Sequence, residues 1–254
     1  MTETIKHQLN HRTIRFFEDR AIKPEDLDQL WDVMNRTATS NGLQASSIIR
    51  VTDPQIKDDI AKVCNQFYVA DLPELYIFIV DSRRIQRIAE EKNYKGDEYR
   101  SMDFFFKGFT DGALMAQNLT NAIESLGLGA VYLGSILNDP QTMIDILGLP
   151  ELTFPVLGLG FGYPNDNPEK KPRMKMELKL HENGYTEPDS YMEALAEYDQ
   201  EMTHYYDTRQ KNQRSDTYTD QVTRALANVP EKRAKIMQVV ERQGFDLKLN
   251  NGND

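Results

Sequence analysis

Leu75-Tyr76-Ile77-Phe78-Ile79-Val80 is apolar at every position. Side chains of a strand alternate between its two faces, so a strand with no polar face must be covered on both sides. This run therefore predicts a central strand, Leu75–Asp81, with further strands at Ser46–Val51, Ala130–Gly134 and Phe154–Gly160. Helix signals lie between them. Lys23-Pro24-Glu25-Asp26 places proline and carboxylates at a helix start, followed by Leu27, Leu30, Trp31 and Met34 at helical spacing. Asp53-Pro54 and Asp139-Pro140 repeat the signature, and the second of these helices is expected to stop at Gly148. The longest helix is expected from about Phe104 to Leu126, with apolar coverage broad enough for the centre of a fold or a subunit interface. Strands separated by long helices argue for a central mixed sheet, α/β or α+β, sandwiched by helices.

The 254 residues suit one large domain or two small ones, and 39% apolar with 28% charged residues is a globular composition. A net charge of −10 without a long basic stretch argues against wholesale nucleic-acid binding, though a local basic pocket for one phosphate remains compatible. Cys64, the only cysteine, excludes an intrachain disulfide and a thiolate metal cluster. Met1-Thr2-Glu3-Thr4 lacks the pattern of a signal peptide, and the apolar runs are too short for a membrane span, so a cytoplasmic protein is expected. After Gly162 the texture changes. Pro164, Pro168 and Pro172 mark an extended arm, with helices expected at Asp189–Tyr206 and Pro230–Gln243. The chain from about 163 to 254 thus reads as an excursion from a single domain, wrapping something such as a partner subunit.

Two clusters could hold an anion. If His11-Arg12-Thr13-Ile14-Arg15-Phe16 is extended, His11, Thr13 and Arg15 share one side as phosphate donors. An ordinary amphipathic edge strand would carry the same letters. Lys171 and Arg173, spaced by Pro172, form the second cluster, which a solvated charge run would also explain. Each charged hydrogen bond to a shielded anion contributes roughly 1.5–3 kcal/mol. Gly127-Leu128-Gly129 and Gly158-Leu159-Gly160 lack the third glycine and the strand-to-helix setting of a dinucleotide turn. Gly134-Ser135-Ile136-Leu137 is not a nucleophile elbow, and the four histidines are not at zinc-ligand spacing. Paired carboxylates are assigned to solvated helix surfaces, and Cys64 to a buried thiol.

The anchors His11–Arg15, Leu43–Arg50, Glu124–Gly129 with Val131–Gly134, Asp166-Asn167-Pro168 with Lys171-Pro172-Arg173, and Tyr205–Arg209 continuing to Arg214-Ser215-Asp216 follow a familiar order. With them the chain resembles the nitroreductase superfamily over nearly its whole length, in the branch of NADPH-dependent nitroreductase A and the NADPH–flavin oxidoreductases. The resemblance implies an α+β sandwich forming an intertwined homodimer, with FMN at each of two interface sites. It implies that His11, Arg12, Thr13, Arg15, Lys171 and Arg173 meet FMN, with Arg15 nearer the pyrimidine edge. Ser40, Gln66 and Tyr68 match ring- or ribityl-contacting positions from the other subunit. Tyr132 and Gly134 match strand-end backbone near the flavin. Thr13 stands where the family usually has serine, and Ser135 where it often has a second glycine, which narrows the site or adds a hydrogen bond. Arg209 and Arg214 match arginines presented to the NADPH 2′-phosphate.

The function so implied is ping-pong transfer from NADPH through FMN to nitroaromatics, quinones or flavins, with no side-chain nucleophile. The alternatives are a dedicated NADPH:FMN reductase and a flavin-binding sensor.

Overall fold

In the computed structural model the apolar hexapeptide lies within the strand Glu74–Asp81, buried at every position but the last. The residues described are 1–208 and 216–247, and they fall into two compact units: Met1–Asn167 with the segment from Pro230 onward, and Pro168–Val229.

The first unit begins with α1 (Glu3–Leu9), α2 (Pro24–Asn35), β1 (Ser46–Val51), α3 (Pro54–Cys64), β2 (Glu74–Asp81) and α4 (Ser82–Glu91). It continues with α5 (Met102–Ser125), β3 (Gly129–Leu133), α6 (Pro140–Leu147) and β4 (Thr153–Gly162). The strand order is β1-β2-β4-β3, and each neighbouring pair is antiparallel. The sheet expected to be mixed is therefore antiparallel in its strands. Parallel pairing enters only as the isolated bridges Thr13–Ala130 and Ser101–Asp246 among the described residues. The reason is the path of the connections. The segment through α3 returns the chain to the end of the sheet it left, so Val51 pairs with Leu75 and β2 runs back. A helical connection does not by itself force a parallel neighbour.

Caps fix the helix starts as the sequence signals. Asp53 accepts from the backbone of Gln55 and Ile56, and Asp139 from that of Thr142. Gly148 ends α6 at φ 58°, a left-handed conformation suited to glycine. The buried face of α5 carries Phe105, Ala116, Leu119 and Ile123. Phe106 and Leu114 on the same helix are exposed in the single chain. No helix among the described residues is long and apolar enough to cross a membrane.

The C-terminal expectation is revised in two respects. The helix expected over Pro230–Gln243 is broken at Lys235 into α9 (Glu231–Ala234) and α10 (Ile236–Arg242), which follow α7 (Tyr191–Thr208) and α8 (Tyr218–Ala227). Val239, Val240 and Phe245 join the core of the first unit, and Phe245 packs edge-on against Phe105 at 5.1 Å. The excursion thus ends at Val229, because these apolar side chains find cover only in the core. The second unit is α7 and α8. Leu195, Met202 and Tyr206 are buried, and Asp199 accepts from the backbone N–H and hydroxyl of Thr219 at 3.0 and 2.6 Å.

Two glycines let α5 lie close to the sheet. A Cβ at Gly108 would stand 2.5 Å from the Ala45 carbonyl oxygen and 2.8 Å from Val80 Cγ1. One at Gly112 would meet Ser46 Oγ at 3.0 Å. Alanine in an open helix position gains about 1 kcal/mol over glycine. At Gly108 the clash with a fixed backbone oxygen outweighs that gain, so Gly108→Ala is expected to destabilise the fold by roughly 1–3 kcal/mol in urea unfolding. A stabilised variant would show that α5 has room to move.

Candidate functional site

The site is built where the N-terminal strand segment, the end of β3 and the turn after α3 meet. Thr13 bridges to Ala130, and the Ile14 N–H donates to the Ala130 carbonyl at 2.9 Å. Ile14 packs over Gly129, where a Cβ would come within 2.6 Å of it. His11 and Arg15, expected on one side of an extended segment, go to different partners, Glu124 and the Tyr68 phenol. Arg15 meets the Tyr68 phenol, whose ionisation is pushed up by burial and partly restored by the guanidinium. Tyr68 Oη donates to Gln66 Oε1 at 2.9 Å, and Ser135 Oγ donates to the same oxygen at 3.2 Å. Arg15, Gln66, Tyr68 and Ser135 are thus brought into one network within a single chain, whereas the resemblance implied Gln66 and Tyr68 from the other subunit.

Below the network Cys64 is buried, and burial pushes its thiol up, partly offset by hydrogen bonding with Ser135. Beside the network stands Gly134, first residue of the short helical turn Gly134–Asn138. A Cβ there would meet nothing within 4 Å, so the space next to this backbone is open. On its other side the Gly134 carbonyl accepts from Arg233 Nη1 at 3.0 Å.

Other predicted residues are held apart from this network. His11 Nδ1 pairs with Glu124 Oε1 at 2.5 Å. Arg12 bonds to Asn167 and to Asn10, while its Nε–H is shut off from solvent without a hydrogen-bond partner. Ser40 is fastened through its backbone, whose N–H donates to Asp111 Oδ1 at 2.8 Å. The other oxygen of Asp111 accepts from Ala45 N at 3.0 Å. Arg84 closes the loop from outside, reaching the carbonyls of Gln44 and Ser46. Between these fasteners Asn41 and Gln44 both adopt φ 52°, strain that persists only where surroundings fix it. Tyr132 turns its phenol to α5, donating to Gln117 Oε1 at 3.1 Å.

In the second unit Lys171 and Arg173 line a cleft of about 360 Å³ with Tyr198, Tyr218 and Gln221. Gln221 Nε2 is buried there without a hydrogen-bond partner. Arg173 is steadied by donating to the Lys171 and Pro172 carbonyls at 2.9 and 3.1 Å. Arg209 and Arg214 lie outside the described residues.

The donor set suits a flat anionic cofactor such as FMN. An unpartnered buried guanidinium N–H, an open face at Gly134 and amide and phenol groups at one strand end are what phosphate and a polar ring edge require. Three residues escaped the sequence reading. Asp111 and Glu124 are both carboxylates on a helix, yet Asp111 is fully buried and the Glu124 side chain is only a tenth exposed. For Glu124 a signal existed, since a carboxylate in a helix's last turn opposes the dipole. Arg233 carried no sequence signal.

Arg15→Ala is expected to push the Tyr68 phenol further up, because burial disfavours phenolate and the guanidinium opposes that effect. Tyrosine ring-carbon NMR, with Tyr68→Phe identifying the signal, reads the shift. An unmoved titration would separate the two side chains.

The Nitroreductase family model matches residues 9–163, and the model for the C-terminal domain of the same family matches residues 171–248. An oxygen-insensitive NADPH nitroreductase of Salmonella typhimurium is 36% identical over 246 residues, 96% of this chain and 99% of the relative. An FMN reductase (NADPH) of Bacillus subtilis is 34% identical, covering 97% and 99%. The solved NfrA1 nitroreductase of B. subtilis superposes with a TM-score of 0.90 at 33% identity, covering 97% of this chain and 100% of that one. With both family models matched one after the other and relatives aligned along nearly the full length, the chain belongs to the nitroreductase family.

Proposed function

We propose that this protein is an FMN-dependent NADPH oxidoreductase. The observation that carries the reading is the convergence of Arg15, Gln66, Tyr68 and Ser135 beside the open backbone of Gly134. The names of the relatives, an NADPH nitroreductase and an NADPH-dependent FMN reductase, support it. FMN, when bound, supplies the redox chemistry, taking reducing equivalents from NADPH and passing them to an oxidised acceptor.

The chain's own residues bind and orient. His11, Arg12 and Thr13 donate to the phosphate, and Lys171 and Arg173 in the second unit are phosphate-binding groups. Arg15 places positive charge at the polar ring edge, where it stabilises negative charge gained on reduction. Gln66 and Tyr68 orient that edge together with Ser135, and Ser40 and Tyr132 border the cofactor. Gly134 keeps the hydride-accepting side free of a side chain. Arg209 and Arg214 read the NADPH 2′-phosphate. The active form is a homodimer, in which Phe106 and Leu114 of α5 become covered, and nitroaromatics, quinones and flavins are the acceptors. A cytoplasmic location, where NADPH is available, is part of the same proposal.

Two measurements test this. The purified protein is expected to be yellow and to bleach with NADPH under anaerobic conditions. A colourless protein gaining no thermal stability from FMN would end the proposal, and a yellow one that NADPH leaves unbleached would make it a flavin-binding sensor. Arg209→Ala is expected to raise the KM for NADPH about tenfold or more while leaving that for NADH nearly unchanged, from loss of one charged hydrogen bond. Equal effects on both would remove the 2′-phosphate role. The relative named FMN reductase favours a second reading, a dedicated supplier of reduced flavin. A many-fold preference for free FMN over quinones and nitroarenes would establish that reading.

A further inference from the structure

Glu124 occupies the last turn of α5, where the helix dipole opposes a negative charge, and only 10% of its side chain is exposed. A buried carboxylate in such a place requires a positive partner. Among the described residues its ion-pair partners are both histidines. His11 Nδ1 lies 2.5 Å from Oε1, and His7 Nε2 lies 3.8 Å from Oε2. His7 Nε2 is shielded from solvent and makes no hydrogen bond.

The surroundings add little charge. Gln8 on α1 and Gln117 and Asn121 on α5 line a cavity of about 240 Å³ with His11 and Glu124, and all three are neutral. The Arg12 guanidinium is engaged with Asn10 and Asn167. Tyr132 on β3 is kept neutral by burial, reinforced by the Glu124 charge. Arg12 keeps its charge but is turned to neutral amides, so among the described residues direct charge compensation of Glu124 depends on a proton held by imidazole.

That has a consequence for an anion at His11. With Nδ1–H committed to the carboxylate, Nε2 carries a proton only in the imidazolium form. Neutral His11 would turn a lone pair toward phosphate. We propose that Glu124 is a positioning residue that orients His11 and holds it as imidazolium, presenting Nε2–H to the FMN phosphate, with His7 competing for the same carboxylate. This rests on FMN binding at His11.

The test is titration of the full-length protein, freed of flavin by dialysis, with FMN and with riboflavin between pH 5.5 and 8.5. Relative to wild type, whose profile carries the ionisation of the FMN phosphate itself, Glu124→Gln should lose about tenfold in FMN affinity between pH 6 and 8. Riboflavin, which has no phosphate, should show no such dependence. The His11 Cε1–H signal in NMR should titrate at least about one pH unit lower in Glu124→Gln. His7→Gln should move that midpoint the opposite way, upward, by removing the competitor.

An equal loss of FMN affinity at every pH, or an unmoved His11 midpoint, overturns the proposal. If Glu124→Gln fails to fold, His7→Gln decides, and a midpoint that falls or stays put overturns it. Wild-type protein that binds no FMN, or His11→Gln protein with undiminished FMN affinity, would instead remove the underlying reading of the site. The NMR midpoints would still report the Glu124–His11 coupling.

Discussion

The close approach of α5 to the sheet at Gly108 and Gly112 is the constraint on which the site depends. At Gly108 the helix backbone lies so close that even a Cβ would stand 2.5 Å from the Ala45 carbonyl oxygen. Three parts of the site then hang from one rigid rod. Its middle presents Asp111 to Ser40 and Ala45, the next turns receive the Tyr132 phenol, and its last turn delivers Glu124 to His11. Groups spread over more than a hundred residues of sequence are positioned relative to one another because one helix contacts them all. Positioning of this kind matters most where a cofactor performs the chemistry and the protein contributes geometry.

The local electrostatics run against the whole. A chain of net charge −10 repels small anions at long range, so any phosphate site must be made by short-range donors. His11, Arg12 and Arg15 are each tied to a neighbouring group: Glu124, the Asn10 and Asn167 side chains, and the Tyr68 phenol. Such ties cost flexibility before a ligand arrives and reduce the ordering cost of binding it. The loop at Ser40 follows the same logic. Asn41 and Gln44 hold left-handed conformations that would relax unless Asp111 and Arg84 held both sides.

How far the sequence was legible depends on the range of the signal. Period and capping are local, so Ser46–Val51 and the proline-led helices stand where expected. The alternation in His11–Phe16 separated His11 and Arg15 from buried Ile14, although the segment pairs through single bridges, not as a full strand. Strand direction was not legible, because it depends on which end of the sheet each connection returns to. Nor was the burial of Asp111. A carboxylate on a helix surface looks solvated until the backbone N–H groups it serves, over sixty residues away in sequence, are brought to it. Among the anchors that carried the resemblance, Glu124 was visible as a letter and invisible as an interaction.

Arg233 illustrates the same gap from the other end of the chain. It belongs to a tail that reads as a departure from the body, yet its guanidinium holds the Gly134 carbonyl. In a trans peptide the C=O and the following N–H point in opposite directions. Capture of that carbonyl by Arg233 therefore turns the Ser135 N–H away from α9. A cation on the carbonyl also polarises the peptide and strengthens its N–H as a donor. Glycine at 134 supplies room, but room alone would let the peptide rotate. It is the returning tail, anchored by Val239, Val240 and Phe245 in the core, that sets the direction in which this backbone can act.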